Sequence, residues 1–510
     1  MKRYILLPTL YLTLILATIN PSTTMAVKKL AQNQVNTISM IENLASENFE
    51  TEIADRWYSV SFNNKKIGFS NQKISQGKSG YRVEGRSVFR ITAGASKVDI
   101  SFFRTFFLDK NRKVFGFITV EQSNGQVKKS TGVIDNDSNL KMVVKGSASQ
   151  KEYNIKLPAD VKFLDLFGFQ NGAIIKPNTT YKFATFLPSF RTVKDITFET
   201  GSYSSVAVNN QSYEAYPIKV SFDNMLVNMS VSKDGVLLKE SHEGLGFQSE
   251  LSTEKDALKL ASEGISASSF LTFSLIKTEK KILNSQHLTH LSLLVSGLSH
   301  PKMIPSDRRQ SKSTPIWSTI EKKKVLTIPL DIKLVKPSAS HQSSKEKTVD
   351  KRWLQPTYEI QSDSEIIIKL AKDIIKDEKD QFKRALLINN WVYRYLKKRL
   401  VDSFSALDAL KAKEGECQAH TYLFSALARS VGIPTKVVSG IVYSEEAEGF
   451  LYHAWPEIFV GEWIALDPTL GESIANPTHI KLTEGDLNSQ LKIAGYIGKI
   501  KIKIQKLQYR

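Results

Sequence analysis

The one cysteine in 510 residues, Cys417, stands in "GECQAHTYLFSALARSVGIPTKVVSGIVY", at the head of a segment that reads as a helix. Leu423, Phe424, Leu427 and Val431 follow at helical spacing, and Gly432 and Pro434 end the run. The sulfur therefore falls in the first turn. There the unpaired backbone N–H groups and the positive end of the helix dipole favour an anion. A thiolate is such an anion, and it is the attacking form of cysteine. The same N–H groups can hold the oxyanion formed when a thiolate adds to an amide carbonyl. A cysteine inside an apolar helix face would gain neither benefit, and a lone free cysteine is usually a small buried hydrophobe.

A nucleophilic cysteine needs a base, usually histidine, and a group that orients the base. "FLYHAWPEIFVGEWIALDPTLGE" offers His453 on one predicted strand and Asp467 at the end of the next. With period two, His453, Trp455 and Glu457 share one face, as do Trp463, Ala465 and Asp467 on the return strand. Register decides whether the two meet. A plain two-residue "GE" turn sets Val460 opposite Trp463 and sends His453 to the face away from Asp467. The productive pairing sets Phe459 opposite Trp463 and Trp455 opposite Asp467, with His453 diagonal to the carboxylate. It needs one extra residue in the turn, where Gly461 supplies a positive φ, or a bulge at Pro456. Trp455 and Trp463 would then wall the site.

His420, three residues after Cys417, opens a rival reading: Cys417, His420, His453 and Asp467 as a zinc site. A second CxxC or HxxxH is absent, and the expectation is no metal, with His420 packed or helix-bonded. His287 and His290 fall on opposite faces of a strand and are set aside. His479, in "NPTHI", is read as structural.

The elements around these residues divide the chain. Lys2 and Arg3 precede an apolar run, Tyr4 to Ile19, then small residues at Thr24 and Ala26, the order of a cleavable export signal over 1–26. Export makes a lone thiol an oxidation hazard, so its retention favours chemistry. A lead-in helix over 27–50 is expected next. From Trp57 the period is two: Tyr58, Val60 and Phe62, a turn at "NNKK", then Ile67 and Phe69, and a β-rich domain runs over 51–262. A small β domain over 268–335 holds "LTFSLI", with Leu271, Phe273 and Leu275, and "VLTIPLDIKLV", where Pro329 argues for an edge strand. "PSDRRQSKSTP" reads as an exposed loop between them, and 336–354 as a linker. Helical spacing follows: Ser362 and Glu365 at capping-box spacing before a stripe of Ile366, Leu370 and Ile374, then Phe382, Leu386 and Val392. The final "GKIKIKIQKL" alternates isoleucine and lysine, a half-buried strand whose lysines protect an edge. The fold class is α+β, with two mainly antiparallel β regions ahead of a helical and β domain over 355–510.

Composition is that of a globular protein, 41% hydrophobic and 24% charged. The formal charge of +19 is spread along the chain; it reads as solvated surface with an anionic surface as a contact partner, and not as a nucleic-acid arm. No run after the signal is long enough to span a membrane.

"GECQAHTYLFSALARSVGIPTKVVSGIVY", "YHAWPEIFVGEWIALDPTLGE" and "PTHIKLTEGDL", in this order over about 355–490, resemble the bacterial transglutaminase-like superfamily. The resemblance implies a papain-like core with its nucleophile at Cys417, its histidine at His453 and its aspartate at Asp467. It implies amide acyl chemistry on a peptide or protein substrate of the cell envelope, through a thioacyl intermediate and without a cofactor. Peptidase or amidase hydrolysis, protein cross-linking, and a non-catalytic assembly role all occur among such proteins. Animal enzymes of the family use calcium, and no acidic loop here resembles a calcium site.

Overall fold

The computed structural model describes residues 41, 43, 49 and 51–510, apart from 94–95, 124, 164–174, 243, 260–264, 267–273, 321–322, 338–348, 400–402 and 486. The signal stretch, most of the lead-in helix, Leu271, Phe273 and much of the linker lie outside the described residues. The chain divides into two compact units, one up to residue 267 and one over 268–510. It is mostly strand. No helix among the described residues is long and apolar enough to cross a membrane.

The first unit is one large sheet, antiparallel hairpins laid side by side except for the short strand Ile265–Ser266, which pairs parallel to Tyr81–Ala93. Its tight turns come from asparagine and aspartate. Phe62 pairs Lys65 across Asn63 and Asn64, and Phe222 pairs Met225 across Asp223 and Asn224; all four turn residues have positive φ, the two-residue geometry that suits twisted strands. The chain's later strand Phe247–Ser252 returns to pair Thr51–Phe62, so the first strand lies mid-sheet. The sheet rolls up: Phe117 and Phe186, from strands far apart in its order, meet at a centroid distance of 6.0 Å, with Phe106 and Phe163 beside them. The ion pair of Glu121 with Lys128 is also buried here, and His242 Nε2 lies 2.8 Å from Glu240 Oε1.

The second unit begins with β1 (Ile276–Lys277), β2 (Leu288–Ser296), β3 (Gln310–Lys312), β4 (Ile316–Ile320) and β5 (Lys323–Lys333). The order is β3–β5–β2, with β4 also on β5. Leu326, Ile328, Leu330 and Ile332 are buried on one face, as their alternation predicts. Pro329, however, is not on an edge strand. It pairs Leu294 on one side, and its carbonyl accepts from Ser313 N on the other. It is tolerated because that second side is where β3 breaks into β4, so no ladder bond needs its missing N–H. The loop read as exposed is likewise partly core: Arg309 and Gln310 are buried. Both are amphipathic enough to be misread from composition alone.

Helices follow: α1 (Glu365–Ile375), α2 (Gln381–Tyr395), α3 (Ala406–Ala412) and α4 (Cys417–Ser430). The α1 N-cap is Ser364, with no side-chain cap bond, so the capping box at Ser362 does not form. Its buried face is Ile367, Ala371 and Ile375, while Ile366 is 63% exposed. A run of three isoleucines leaves the stripe ambiguous by one residue, and small Ala371 fits against the neighbouring helix. The α4 helix is buried all round except at Ser430, packed by α1, α2 and α3. Against it lies the sheet β6 (Thr435–Ser444), β7 (Gly449–Phe459), β8 (Trp463–Ala465) and β9 (Ile480–Glu484), in order β1–β7–β6–β9 with β8 on β7. A short helix, α5 (Leu487–Ala494), leads to β10 (Lys501–Tyr509). This last strand pairs β2 at the sheet edge, with Ile502 and Ile504 buried and Lys501 and Lys503 outward, as the alternation predicts.

Gly440 of β6 faces His453 in register, and a Cβ there would lie 2.0 Å from Ile480 O and 2.8 Å from the Trp455 ring. Backbone cannot yield as a flexible side chain can. Gly440→Ala is expected to lower stability by about 1–3 kcal/mol, read as a lower denaturant midpoint with unchanged slope.

Candidate active site

Cys417 is the first residue of α4, as its spacing predicts, and is 2% exposed. The N-cap, Glu416, is extended and makes no side-chain cap bond, which leaves first-turn N–H groups unclaimed by a cap. Burial, and then the nearby Cys417, hold the Glu416 carboxyl well above the usual range. Thr421 Oγ1 donates to Ala454 O at 3.1 Å, tying the helix to the histidine strand.

The register is the productive one. Phe459 pairs Trp463 and Glu457 pairs Ala465, across a three-residue loop in which Gly461 has φ +87°. Leu466 N donates to Pro456 O at 3.1 Å, and Asp467 and Glu472 then exchange backbone hydrogen bonds. His453 Nε2 consequently lies 2.7 Å from Asp467 Oδ2, both buried. A further side-chain hydrogen bond links the His453 ring to Cys417. With Nε2 on the carboxylate, Nδ1 is the atom left for the sulfur. Burial disfavours the His453 imidazolium, but the Asp467 charge and hydrogen bond and the Cys417 contact outweigh it and push the group up to about 10. Asp467, despite burial, is held well below the usual carboxylate range by His453 and then His479.

The sequence reading names His479 as structural without giving it a partner. Its Nε2 lies 3.0 Å from the same Asp467 oxygen. The only signal was its place in a block resembling the family. Arg309 was missed: its Nη1 and Nη2 donate to His479 O and Asn476 O, at 2.6 Å each. Of the two tryptophans, Trp455 is fully buried, stacked near His453 at 6.1 Å and edge-on to His479 at 5.2 Å. Trp463 instead packs against Phe459 and Trp353 and lies under the Lys436 ammonium.

His420 has its Nδ1 2.9 Å from Glu416 O, and burial pushes it down to about 4, so it is neutral near pH 7. Among the described residues, the group whose ligand atoms approach within 4.8 Å of one another is His453, Asp467 and His479, without Cys417 or His420. Asp467 Oδ2 already touches both imidazoles, and metal–ligand bonds of about 2.0–2.2 Å would require the three to part. His290 lies elsewhere, between Gln508 and Asp331.

The sign of the pH dependence follows. The His453 imidazolium is present below its raised value of about 10 and is lost above it. Cys417 is expected to react with iodoacetamide faster at about pH 6–7 than a free thiol of pKa about 8.5. The advantage should persist well above the point where a free imidazole loses its proton, about 6.5. His453→Ala should remove most of it and His420→Ala much less. Equal loss from both, with stoichiometric bound zinc, would favour the metal reading.

Residues 368–468 match the transglutaminase-like superfamily. No curated protein matches the chain. Among solved structures, a candidate cysteine protease from Cytophaga hutchinsonii is 16% identical, covering 44% of this chain and 86% of that one, with a TM-score of 0.29. A β-barrel-like protein of a domain of unknown function from Brucella abortus is 12% identical over 41% of this chain and 98% of that one, with a TM-score of 0.30. A candidate protease from Parabacteroides distasonis is 7% identical over 76% and 70%, with a TM-score of 0.17. The region that holds Cys417, His453 and Asp467 is a domain of the transglutaminase-like superfamily.

Proposed function

We propose that the chain is a thiol enzyme that opens amide bonds of peptides or proteins, with hydrolysis as its outcome. The observation that carries this is the linked set of Cys417 at the head of α4, His453 and Asp467, with His453 held 2.7 Å from the buried Asp467 carboxylate. In this reading the Cys417 thiolate adds to the amide carbonyl, and N–H groups of the first α4 turn receive the oxyanion. The His453 imidazolium gives its proton to the departing amine, the C–N bond breaks, and a thioester remains on Cys417. His453, now neutral, takes a proton from water as it attacks, and the acid and the thiolate are released. Asp467 holds the ring in place and stabilises its cation throughout.

Two arguments favour water over an amine as the second substrate. Water is present at about 55 M, and the buried thiol must be reached through whatever path the substrate opens, which a small molecule passes most readily. The same burial, Cys417 at 2% exposure, is what favours the second reading, a binding or assembly protein that keeps the fold without turnover. The order of residues 1–26 supports action outside the cytoplasm in this proposal, with a mature chain starting near Val27; N-terminal sequencing of the envelope protein tests it.

The assay is purified protein with a glutamine-bearing peptide, a casein-like protein and excess primary amine. Released ammonia or cleaved peptide, without amine incorporation, is expected. Cys417→Ala should abolish it, and Asp467→Asn should lower kcat by roughly 10³–10⁴-fold. Amine incorporation lost in Cys417→Ala would make the protein a transferase. No turnover with Cys417 inert to alkylation would leave the binding role.

A further inference from the structure

Asp467 accepts four hydrogen bonds, two of them from imidazoles. Oδ1 takes the backbone N–H groups of Thr469 at 2.7 Å and Leu470 at 3.0 Å. Oδ2 takes His453 Nε2 at 2.7 Å and His479 Nε2 at 3.0 Å. His479 is held from behind as well: its Nδ1 lies 3.1 Å from the Asn476 carbonyl oxygen, and Arg309 clamps the carbonyls of both Asn476 and His479. Each ring nitrogen of His479 therefore faces an oxygen acceptor.

We propose that His479 is a positioning residue for this site: it fixes the Asp467 carboxylate through the same oxygen that grips His453, and so sets both the orientation and the basicity of that histidine. The proposal rests on the reading of Cys417, His453 and Asp467 as the reacting set. The charged groups about His479 are Asp467 on Oδ2, Glu472, which bonds Asn476 and interacts with the ring, and His453, whose ring centroid is 5.8 Å away. Trp455 covers it with an apolar face, and the Arg309 cation on its backbone side is balanced by Glu457, Asp307 and Glu472. His453 in turn faces Asp467 and Cys417.

The expected signs follow from sharing one oxygen. An acceptor divided between two donors holds each less firmly. Without His479, the His453 imidazolium gains Asp467 Oδ2 for itself and persists to higher pH. The carboxylate also loses one of its four restraints, so the ring is less well aimed at the sulfur. Orientation and basicity thus move in opposite senses, a combination that mere loss of stability does not produce.

The test uses the whole protein and needs no substrate: the rate of Cys417 alkylation by iodoacetamide from about pH 5 to about pH 10, with thermal melting as the check of folding. His479→Phe keeps a ring and removes both ring nitrogens. It should slow the plateau rate about tenfold and move the alkaline inflection up by about half a unit or more. His479→Gln, which can place an amide N–H near the lost Nε2, should restore most of the rate. If His479→Phe does not fold, His479→Asn serves, since its amide is too short to reach Asp467 and the same two changes are expected. A folded Phe or Asn variant with the plateau and inflection of the unsubstituted protein would overturn the proposal. A shifted profile in a protein that turns over no amide defeats the proposed reaction and leaves this inference standing; amide turnover with an unshifted profile does the reverse.

Discussion

A carboxylate with no exposed surface has to be surrounded by donors or it will not stay ionised. Taking such a group out of water costs several kcal/mol even after relaxation, and Asp467 is fully buried. Its four donors come from three separate stretches: the β7 strand at His453, the turn after β8 at Thr469 and Leu470, and the segment entering β9 at His479. The β7–β8 register, the three-residue loop at Gly461 and the Asp467–Glu472 bridge each serve to bring these stretches to one point. The helix bearing Cys417 is then tied to the same strand through Thr421. The site is a consequence of solvating one buried charge from within.

The support extends outward in layers. Arg309, buried in a turn of the preceding small sheet, orients the Asn476–His479 backbone. Gln310 beside it exchanges two hydrogen bonds with Lys481, whose ammonium is buried against Glu457 and Asp307. Lys481 keeps its charge because these carboxylates outweigh the cost of burial. A stretch of "PSDRRQ" that composition marks as surface is therefore the brace of the site.

The contrast shows which parts a sequence can reveal. Cys417, His453 and Asp467 lie on elements whose periods are plain, and the requirement that two of them meet was enough to demand Phe459 opposite Trp463. That constraint is local, spanning one turn. His479 and Arg309 were opaque because their partners are remote: Arg309 contacts residues 167 and 170 positions away. Nothing near them in the chain signals the contact. Helix boundaries failed in another way. The three isoleucines at 366–368 offer two apolar stripes, and only the space against α4 selects between them. Pro329 misled because the rule against proline concerns one unmade bond, and the break between β3 and β4 makes that bond unnecessary.

The pairing of β2 with β10 carries a consequence for how the chain becomes a protein. Thr289 and His290 bond Gln508, at separations of 219 and 218 residues. Closing a loop of that length is slow even though its entropic cost grows only with the logarithm of length. Until synthesis reaches the last strand, β2 has one ladder side open, and a hydrophobic edge is left waiting. The helices α1 to α4 are complete before then, made of neighbours in sequence. A nascent chain would thus pass through a stage in which the cysteine helix has its packing but the small sheet with Arg309 is unfinished at its rim.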